Sequence, residues 1–324
     1  MSTGAVDRDV RRRQTIDGLP RDWVMVVLCT WFLGGVYLDG WAHTHGKVDE
    51  SFFTPWHAVF YSGFLVVAGF LAWQVIRRRA SGYPRPWALP SGYGLALVGA
   101  LIFVCGGIGD MIWHELFGIE EDVEALYSPT HLLLVLGMWL MVSAPFGAAW
   151  QRMVPRSGWK QLAPMLLSLT CMLSVGTFFT QIAHPLANLW GGGLLPRSPM
   201  WLFEEMGVVS LLFDAGLLMG FVLLALRRWT LPPGALTLVV TCNAIAMGFL
   251  YHHAAYPLLH VAARAAAGVV ADVILSQLRP SLQRLGALRL FAFVMPALIS
   301  AFYFLALQMA FTVGLRRSIC SGWA

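Results

Sequence analysis

Residues 22–41 read Asp22-Trp-Val-Met-Val-Val-Leu-Cys-Thr-Trp-Phe-Leu-Gly-Gly-Val-Tyr-Leu-Asp-Gly-Trp41, an apolar run with one acid near each end. About 20 residues of α-helix rise about 30 Å, which matches the hydrocarbon core of a bilayer. The sequence therefore predicts an all-α, polytopic transmembrane bundle of about eight spans. The other predicted spans lie near 55–76, 91–114, 129–150, 161–184, 205–226, 234–253 and 288–313.

The composition supports a membrane protein, because 58% of the 324 residues are hydrophobic and only 12% are charged. Soluble domains carry about 25% charged residues. Residues 1–21 are polar, so we expect a cytoplasmic tail followed by an uncleaved first helix rather than a cleaved signal peptide. The five cysteines form no CxxC pair, which argues against a disulfide framework or a thiolate metal site.

Basic residues alternate between the segments that join the predicted spans. Most of the 22 lysines and arginines fall in the N-terminal tail and in segments 77–85, 152–160, 227–228 and 316–317. The positive-inside rule then places both termini in the cytoplasm and pairs the spans as four outer-side hairpins. We expect a multi-pass protein of a bacterial cytoplasmic membrane, with all nine histidines toward its outer side.

Three segments follow from this map. Residues 1–21 form the tail, 22–150 a four-helix half that carries the polar motifs, and 151–324 a second four-helix half. Within the second half, residues 254–287 are apolar but carry Arg264 and Asp272. We expect this stretch to be an interfacial or re-entrant segment on the outer side.

One polar pattern occurs twice in the first half. Asp39-Gly-Trp-Ala-His43 is followed by Phe53-Thr-Pro-Trp-His57, and Asp110-Met-Ile-Trp-His114 is followed by Tyr127-Ser-Pro-Thr-His131. Ionisable side chains at membrane depth cost free energy unless they are paired, ligate a metal or line a wet cavity. This duplicated pattern is the strongest functional signal in the chain.

The spacing predicts that each copy converges. Residues four apart on a helix point about 40° apart, so each Asp and the His after it share a face. The Thr-Pro and Ser-Pro pairs are helix starts that place the second His in a first turn. One carboxylate and two imidazoles suit copper, zinc or non-haem iron. The alternative is that these side chains are locally hydrogen-bonded and that the prolines merely begin helices.

A possible additional polar site lies elsewhere. Asp214 falls deep in a predicted span, where a charged group is usually paired or functional. The alternative is a protonated or hydrogen-bonded Asp packed against Asn243 or Gln308. The remaining candidates for such a site are His45, His184, His252, His253 and His260.

Over roughly residues 30–145 the motifs resemble the C subunit of the copper membrane monooxygenases, which act on methane, ammonia and short alkanes. The resemblance rests on Asp-Gly-x-x-His, on Phe-Thr-Pro-x-His followed by Phe60-Tyr61, and on the second set with Glu120-Glu121. That family often has Asn at the position of Asp110, and its partner subunits include a soluble cupredoxin-like region that has no counterpart here. The resemblance implies copper bound by Asp39, His43 and His57, and by Asp110, His114 and His131.

Three functions fit these residues. The first is a copper-dependent monooxygenase subunit that works on O2 and a small apolar substrate, with other membrane subunits or as a homo-oligomer. The second is a metal-handling or transport protein without redox catalysis, and the third is a structural subunit. Catalytic residues are not identifiable from the sequence, and nothing in it indicates nucleic-acid binding.

Overall fold

The computed structural model describes residues 3–47, 54–82, 89–117, 126–152, 158–187, 200–250 and 257–321. Within these ranges the regular structure is helical, and the one extended pairing is an isolated bridge between Ser281 and Arg284. The predicted all-α fold class is confirmed. The helices are α1 (Thr3–Thr44), α2 (Pro55–Ala80), α3 (Gly94–Phe117), α4 (Pro129–Val142), α5 (Ala144–Gln151), α6 (Trp159–Phe179), α7 (Met200–Leu226), α8 (Ala235–Leu250), α9 (Pro257–Leu278) and α10 (Leu285–Ser321).

Among the described residues, seven helices are long and apolar enough to cross a membrane: α1 from Gly18 onward, α2, α3, α6, α7, α9 and α10. The predicted span 129–150 is the pair α4 and α5, which is bent by 43° and can supply an eighth crossing. Pro145 stands in the first turn of α5. Because proline has no N–H and its ring clashes with the preceding turn, it accounts for the bend.

The chain divides into two compact units, residues 1–175 and 176–324. In the first unit, α1 packs with α2 and α3 packs with α4, as expected for two hairpins. In the second unit, α9 packs with both α8 and α10. We had expected the helices predicted for 234–253 and 288–313 to pair with each other. These helices are α8 and α10, and each packs against α9 instead.

Residues 257–278, which we expected to lie at the interface, form a continuous apolar helix of 22 residues. Each of its two charged side chains has a partner inside the second unit. Asp272 accepts hydrogen bonds from the backbone N–H groups of Leu236 and Thr237 at the start of α8, at 3.2 and 2.9 Å. Arg264 pairs with Asp214. Since both charges are compensated, they no longer argue against a membrane-crossing helix.

Glycines let α1 and α2 meet backbone to backbone. A Cβ atom added to Gly35 would lie 2.6 Å from the Cα of Phe60, and one added to Gly63 would lie 2.5 Å from the Cα of Phe32. Real Cβ atoms essentially never approach other atoms so closely. The two glycines thus set the separation of this helix pair.

Glycines also bring α3 and α4 close together. A Cβ on Gly106 would lie 3.0 Å from the backbone N of Leu134, and one on Gly137 would lie 2.7 Å from the carbonyl oxygen of Gly99. In both copies a glycine stands four residues before the motif Asp, and another stands six residues after the second motif His. The duplication therefore extends from the polar residues to the helix contacts beneath them.

An aromatic core joins α1, α2 and α3 below the motifs. The ring of Phe32 stacks on Phe60 at 5.6 Å and meets Phe103 edge-on at 5.1 Å, while Phe64 stacks on Phe103 at 4.5 Å. Rings at these separations and angles interact favourably beyond their buried area.

A buried ion pair fixes the other end of the same helices. Asp22 is fully buried and accepts a hydrogen bond from the Tyr93 hydroxyl at 2.8 Å. The guanidinium of Arg152 pairs with its second carboxylate oxygen. The acid at the start of the quoted span therefore ties α1 to the segments before α3 and after α5.

We predict that Gly63→Ala lowers the stability of the protein by roughly 1–3 kcal/mol, because the new methyl group collides with backbone atoms of α1. Gly69→Ala is the matched control, since Gly69 lies on the same helix with open space around it. There the higher helix propensity of alanine should leave stability unchanged or raise it. Thermal unfolding of the two purified variants measures the difference, and equal melting temperatures would contradict the proposed contact.

Candidate metal centres

The Asp39 site is built where α1 ends and α2 begins. Asp39 and His43 lie one turn apart on the last turns of α1. Thr54 caps α2, and its hydroxyl accepts a hydrogen bond from the backbone N–H of His57 at 3.1 Å. Because Pro55 occupies the first helical position, where a missing N–H costs nothing, the returning helix starts with His57 in its first turn.

The Asp110 site is built from the same local structure as the Asp39 site, where α3 ends and α4 begins. Asp110 and His114 lie one turn apart near the end of α3, and Ser128 caps α4 by accepting from the backbone N–H of His131 at 3.2 Å. Pro129 follows the cap, as Pro55 does in the first copy. The predicted helix starts are confirmed in both copies.

Both predicted triads converge. In the Asp39 site, Nε2 of His57 is 3.5 Å and Nε2 of His43 is 3.9 Å from Oδ2 of Asp39. One ligand atom from each of the three residues lies within 4.8 Å of the others. This is the spacing of side chains that can share one metal ion.

The Asp110 site has a similar arrangement. Nε2 of His114 is 3.6 Å from Oδ2 of Asp110, and Nδ1 of His131 is 3.4 Å from Oδ1. These three residues also offer one ligand atom each within 4.8 Å of one another. Among the described residues, no other group of three metal-ligating side chains meets this spacing.

Surroundings distinguish the two sites. The Asp39 side chain is 17% exposed and that of His43 is 41% exposed, whereas the Asp110 side chain is only 4% exposed. Oδ1 of Asp110 accepts a hydrogen bond from the hydroxyl of the buried Thr130 at 2.9 Å. The hydroxyl of Ser128 lies 2.8 Å from Nδ1 of His131. The Asp110 site is therefore the more enclosed one and is braced by two hydroxyl groups.

The Asp39 site provides the test of whether a cation fits. Oδ1 of Asp39 is buried and has no hydrogen-bond partner among the described residues. A buried carboxylate oxygen without a donor is costly, and an imidazole on either side does not remove that cost. A metal ion would satisfy this oxygen and both rings together. The residues present thus fit a bound cation with two nitrogen ligands and one oxygen ligand.

A cavity of about 640 Å³ opens beside the motifs between α2 and α3. At one end it is lined by Thr54 and His57 of the first copy, and α3 contributes Gly107 and Met111 on either side of Asp110 in the sequence. Most of the remaining wall is apolar and includes the rings of Tyr61, Phe64 and Phe103. A space of this size and polarity can hold a small apolar molecule next to a metal-binding side chain.

His45, a candidate from the sequence, belongs to neither triad. Its Nδ1 donates to the carbonyl oxygen of Trp41 at 2.8 Å, and its ring stacks on the indole of Trp41 at 4.8 Å. These contacts explain the residue as part of the end of α1.

Of the other polar residues predicted to form a site, some lie outside the described residues and some are buried in the second unit. His252 and His253 lie outside the described residues. Asp214 is buried, and its partners are Arg264 and His184 rather than Asn243 or Gln308; the side-chain amide of Asn243 donates instead to Thr177 at 2.8 Å. Burial lowers the pKa of His184 to about 4, so its ring is neutral at pH 7.

Sequence reasoning did not assign a role to three residues that contribute to these sites. Thr130 lies inside the second motif, between the proline and the histidine, where a polar residue replaces Trp56 of the first copy. Arg264 stands one helical turn after His260, and that spacing was a signal that the two share a face. Tyr61, which lies one turn after His57, is a wall of the cavity.

Comparison with known proteins identifies no relative of this chain. No protein-family model, curated protein or solved structure matches the chain. Its function is therefore argued from the side chains and their surroundings.

We predict that Thr130→Val destabilises the metal-free protein by about 1–3 kcal/mol, because it removes a hydrogen bond to a buried carboxylate. Thr170→Val is the control: Thr170 is also buried, but its hydroxyl bonds only the Leu166 carbonyl of its own helix. Thermal unfolding in the presence of a chelator compares the two. A loss for Thr130→Val no larger than for Thr170→Val would contradict the role given to Thr130.

Proposed function

We propose that this chain is a membrane subunit that binds copper at the Asp39 and Asp110 sites and takes part in the O2-dependent oxidation of a small apolar molecule. The observation that carries the proposal is the convergence of two Asp-His-His sets in one compact unit, one of them beside an apolar cavity. The motif resemblance to the C subunit of copper membrane monooxygenases supports both the metal and the reaction.

Two imidazoles and one carboxylate leave coordination positions open on a bound ion. Copper, zinc and non-haem iron all accept this donor set. The resemblance favours copper, which when bound supplies the redox chemistry with dioxygen. The protein contributes the ligands, their orientation and the exclusion of water.

Each residue has a defined task in this proposal. Asp39 and Asp110 bring a negative charge that offsets part of the charge of the ion, and the paired histidines supply neutral nitrogen ligands. The hydroxyl of Thr130 holds the carboxylate of Asp110 in place. Such supporting hydrogen bonds orient ligands and raise metal affinity.

The cavity suits the substrate of this reaction. Its aromatic and aliphatic walls favour a small molecule without charge, and His57 places the metal site at its edge. Water is poorly held in such a space, because few polar groups line it. An apolar substrate would therefore enter in preference to solvent.

Localisation and partners complete the proposal. We place the motifs at the outer side of a bacterial cytoplasmic membrane, on the basis of the distribution of basic residues. Oxidation by O2 also requires a source of electrons, which we assign to partner subunits or to a further copy of this chain.

A second candidate is metal handling without redox catalysis. It is favoured by the 41% exposure of the His43 side chain, which gives ions access to the Asp39 site. Metal uptake by cells expressing the chain separates the two functions. Uptake that depends on His43 would favour handling, whereas unchanged uptake together with bound copper would favour the oxidative function.

We predict that His57→Ala and His131→Ala each lower the copper content of the purified protein, by about one ion per chain if both sites are loaded. Loss of one of three protein ligands removes a large part of the binding free energy. Elemental analysis and electron paramagnetic resonance measure the content and the ligand field.

His45→Ala is the matched control, since this histidine also stands beside the first motif, but its Nδ1 bonds the Trp41 carbonyl and its ring stacks on Trp41. Its copper content should equal that of the unsubstituted protein. An unchanged copper content in both His57→Ala and His131→Ala would contradict the proposal.

The cavity gives a separate prediction. Xenon enters dry apolar cavities, and crystals under xenon pressure should show it in this cavity, against the rings of Tyr61, Phe64 and Phe103. Gly107→Leu should lower the xenon occupancy while copper content stays unchanged, because the new side chain takes up part of the cavity that Gly107 lines. Gly69→Leu, which faces open space on α2, is the control. An unchanged xenon occupancy in Gly107→Leu would count against this cavity as the substrate site.

A further inference from the structure

The second unit contains a buried polar cluster that the proposed function does not use. We call it the Arg264 cluster: His184 in the connection after α6, Asp214 on α7, His260 and Arg264 on α9, and Tyr303 on α10. All five residues are less than 10% exposed. Ionisable groups buried in membrane helices are expensive and usually mark a functional path or site.

Charges within the cluster are balanced. Nη2 of Arg264 is 2.8 Å from Oδ2 of Asp214. The backbone N–H of Leu186 donates to Nδ1 of His184 at 3.2 Å, so the neutral ring carries its proton on Nε2. That nitrogen is 3.5 Å from Oδ1 of Asp214. One acid and one guanidinium are thus paired, with a neutral imidazole beside them.

Hydrogen bonding within the cluster, in contrast, is incomplete. Nε of Arg264, Nδ1 of His260 and the hydroxyl of Tyr303 are buried and have no hydrogen-bond partner among the described residues. The rings of His260 and Tyr303 lie 5.8 Å apart. By comparison, both carboxylate oxygens of Asp272 on the same helix are bonded to α8. Native proteins rarely leave several buried polar groups unsatisfied in one place, which points to an occupant.

The side chains decide the chemical class of that occupant. Arg264 repels a metal cation, and the cluster holds no set of ligand atoms at metal spacing. Asp214 repels an anion. The unsatisfied atoms include an obligate donor on Arg264 and a hydroxyl that can donate or accept. These properties select a small neutral molecule that both donates and accepts hydrogen bonds.

We propose that the Arg264 cluster is an internal water-binding site reached from the connection after α6. Asp214 lies near the middle of α7, yet it is touched by His184, which belongs to that connection rather than to a spanning helix. The connection therefore carries a polar side chain alongside the middle of the helix. Water passing His184 meets the unsatisfied polar atoms of Arg264, His260 and Tyr303, and buried water commonly makes about three hydrogen bonds.

Radiolytic labelling tests this site in the full-length protein. Hydroxyl radicals formed from bound water by X-rays oxidise the side chains next to that water, and water enriched in ¹⁸O marks the product. Tyr303 should be labelled several-fold faster than Tyr93, which is equally buried but whose hydroxyl is already bonded to Asp22. Equal rates for the two tyrosines would overturn the proposal.

A second test is the direction in which Tyr303→Phe changes the melting temperature. If the hydroxyl binds water, its removal should lower the melting temperature, as we also expect for Tyr37→Phe, which removes a direct bond to the Ser174 carbonyl. If the hydroxyl is dry, its removal should leave the melting temperature unchanged or raise it, because an unsatisfied buried group disappears. The second result would overturn the proposal.

His260→Gln separates this site from the copper sites. We expect its copper content to equal that of the unsubstituted protein, since a neutral ligand occupies the cluster. A fall in copper content would overturn the assignment to water. Failure of copper binding at the Asp39 and Asp110 sites would leave the water site untouched, so the two proposals fail independently.

Discussion

The backbone contact between paired helices is the constraint on which both candidate metal sites depend. An Asp and two His residues can share an ion only if the end of one helix and the start of the next lie close together. Gly35 and Gly63 allow this for the first pair, and Gly106 and Gly137 allow it for the second. The apolar glycine contacts and the polar motifs are therefore parts of one repeated unit.

Much of the first site was predictable because its determinants are local. The four-residue spacing of Asp39 and His43 and the Thr54-Pro55 start require only helix geometry and capping chemistry. The sequence could not show that α9 is a continuous apolar helix with a paired arginine, since the partner of Arg264 is Asp214, a residue far away along the chain. A charged residue in an apolar run argues for an interfacial helix only if it has no partner elsewhere in the fold, and the sequence alone does not reveal such a partner.

Duplication produced two sites that are similar in ligands but different in surroundings. Where the first copy has Trp56, the second has Thr130, and that hydroxyl reaches the motif carboxylate. The first copy keeps a carboxylate oxygen with no donor and a more exposed histidine. The hydroxyl of Thr130 thus braces the enclosed Asp110 site, whereas Trp56, at the matching position of the more open Asp39 site, has no hydroxyl to offer.

Asp39 and Asp214 are buried in different surroundings, and these surroundings favour different occupants. Among the described residues, the carboxylate of Asp39 lies beside the imidazoles of His43 and His57, and a cation bound between them would offset its negative charge. Asp214 faces a guanidinium, so its charge is offset by the protein and a cation is excluded. The residue opposite the acid, rather than the acid itself, decides whether a buried carboxylate of this chain could share a cation with its histidines. Among the described residues, only the histidines without an arginine beside them stand with a carboxylate at metal-ligand spacing.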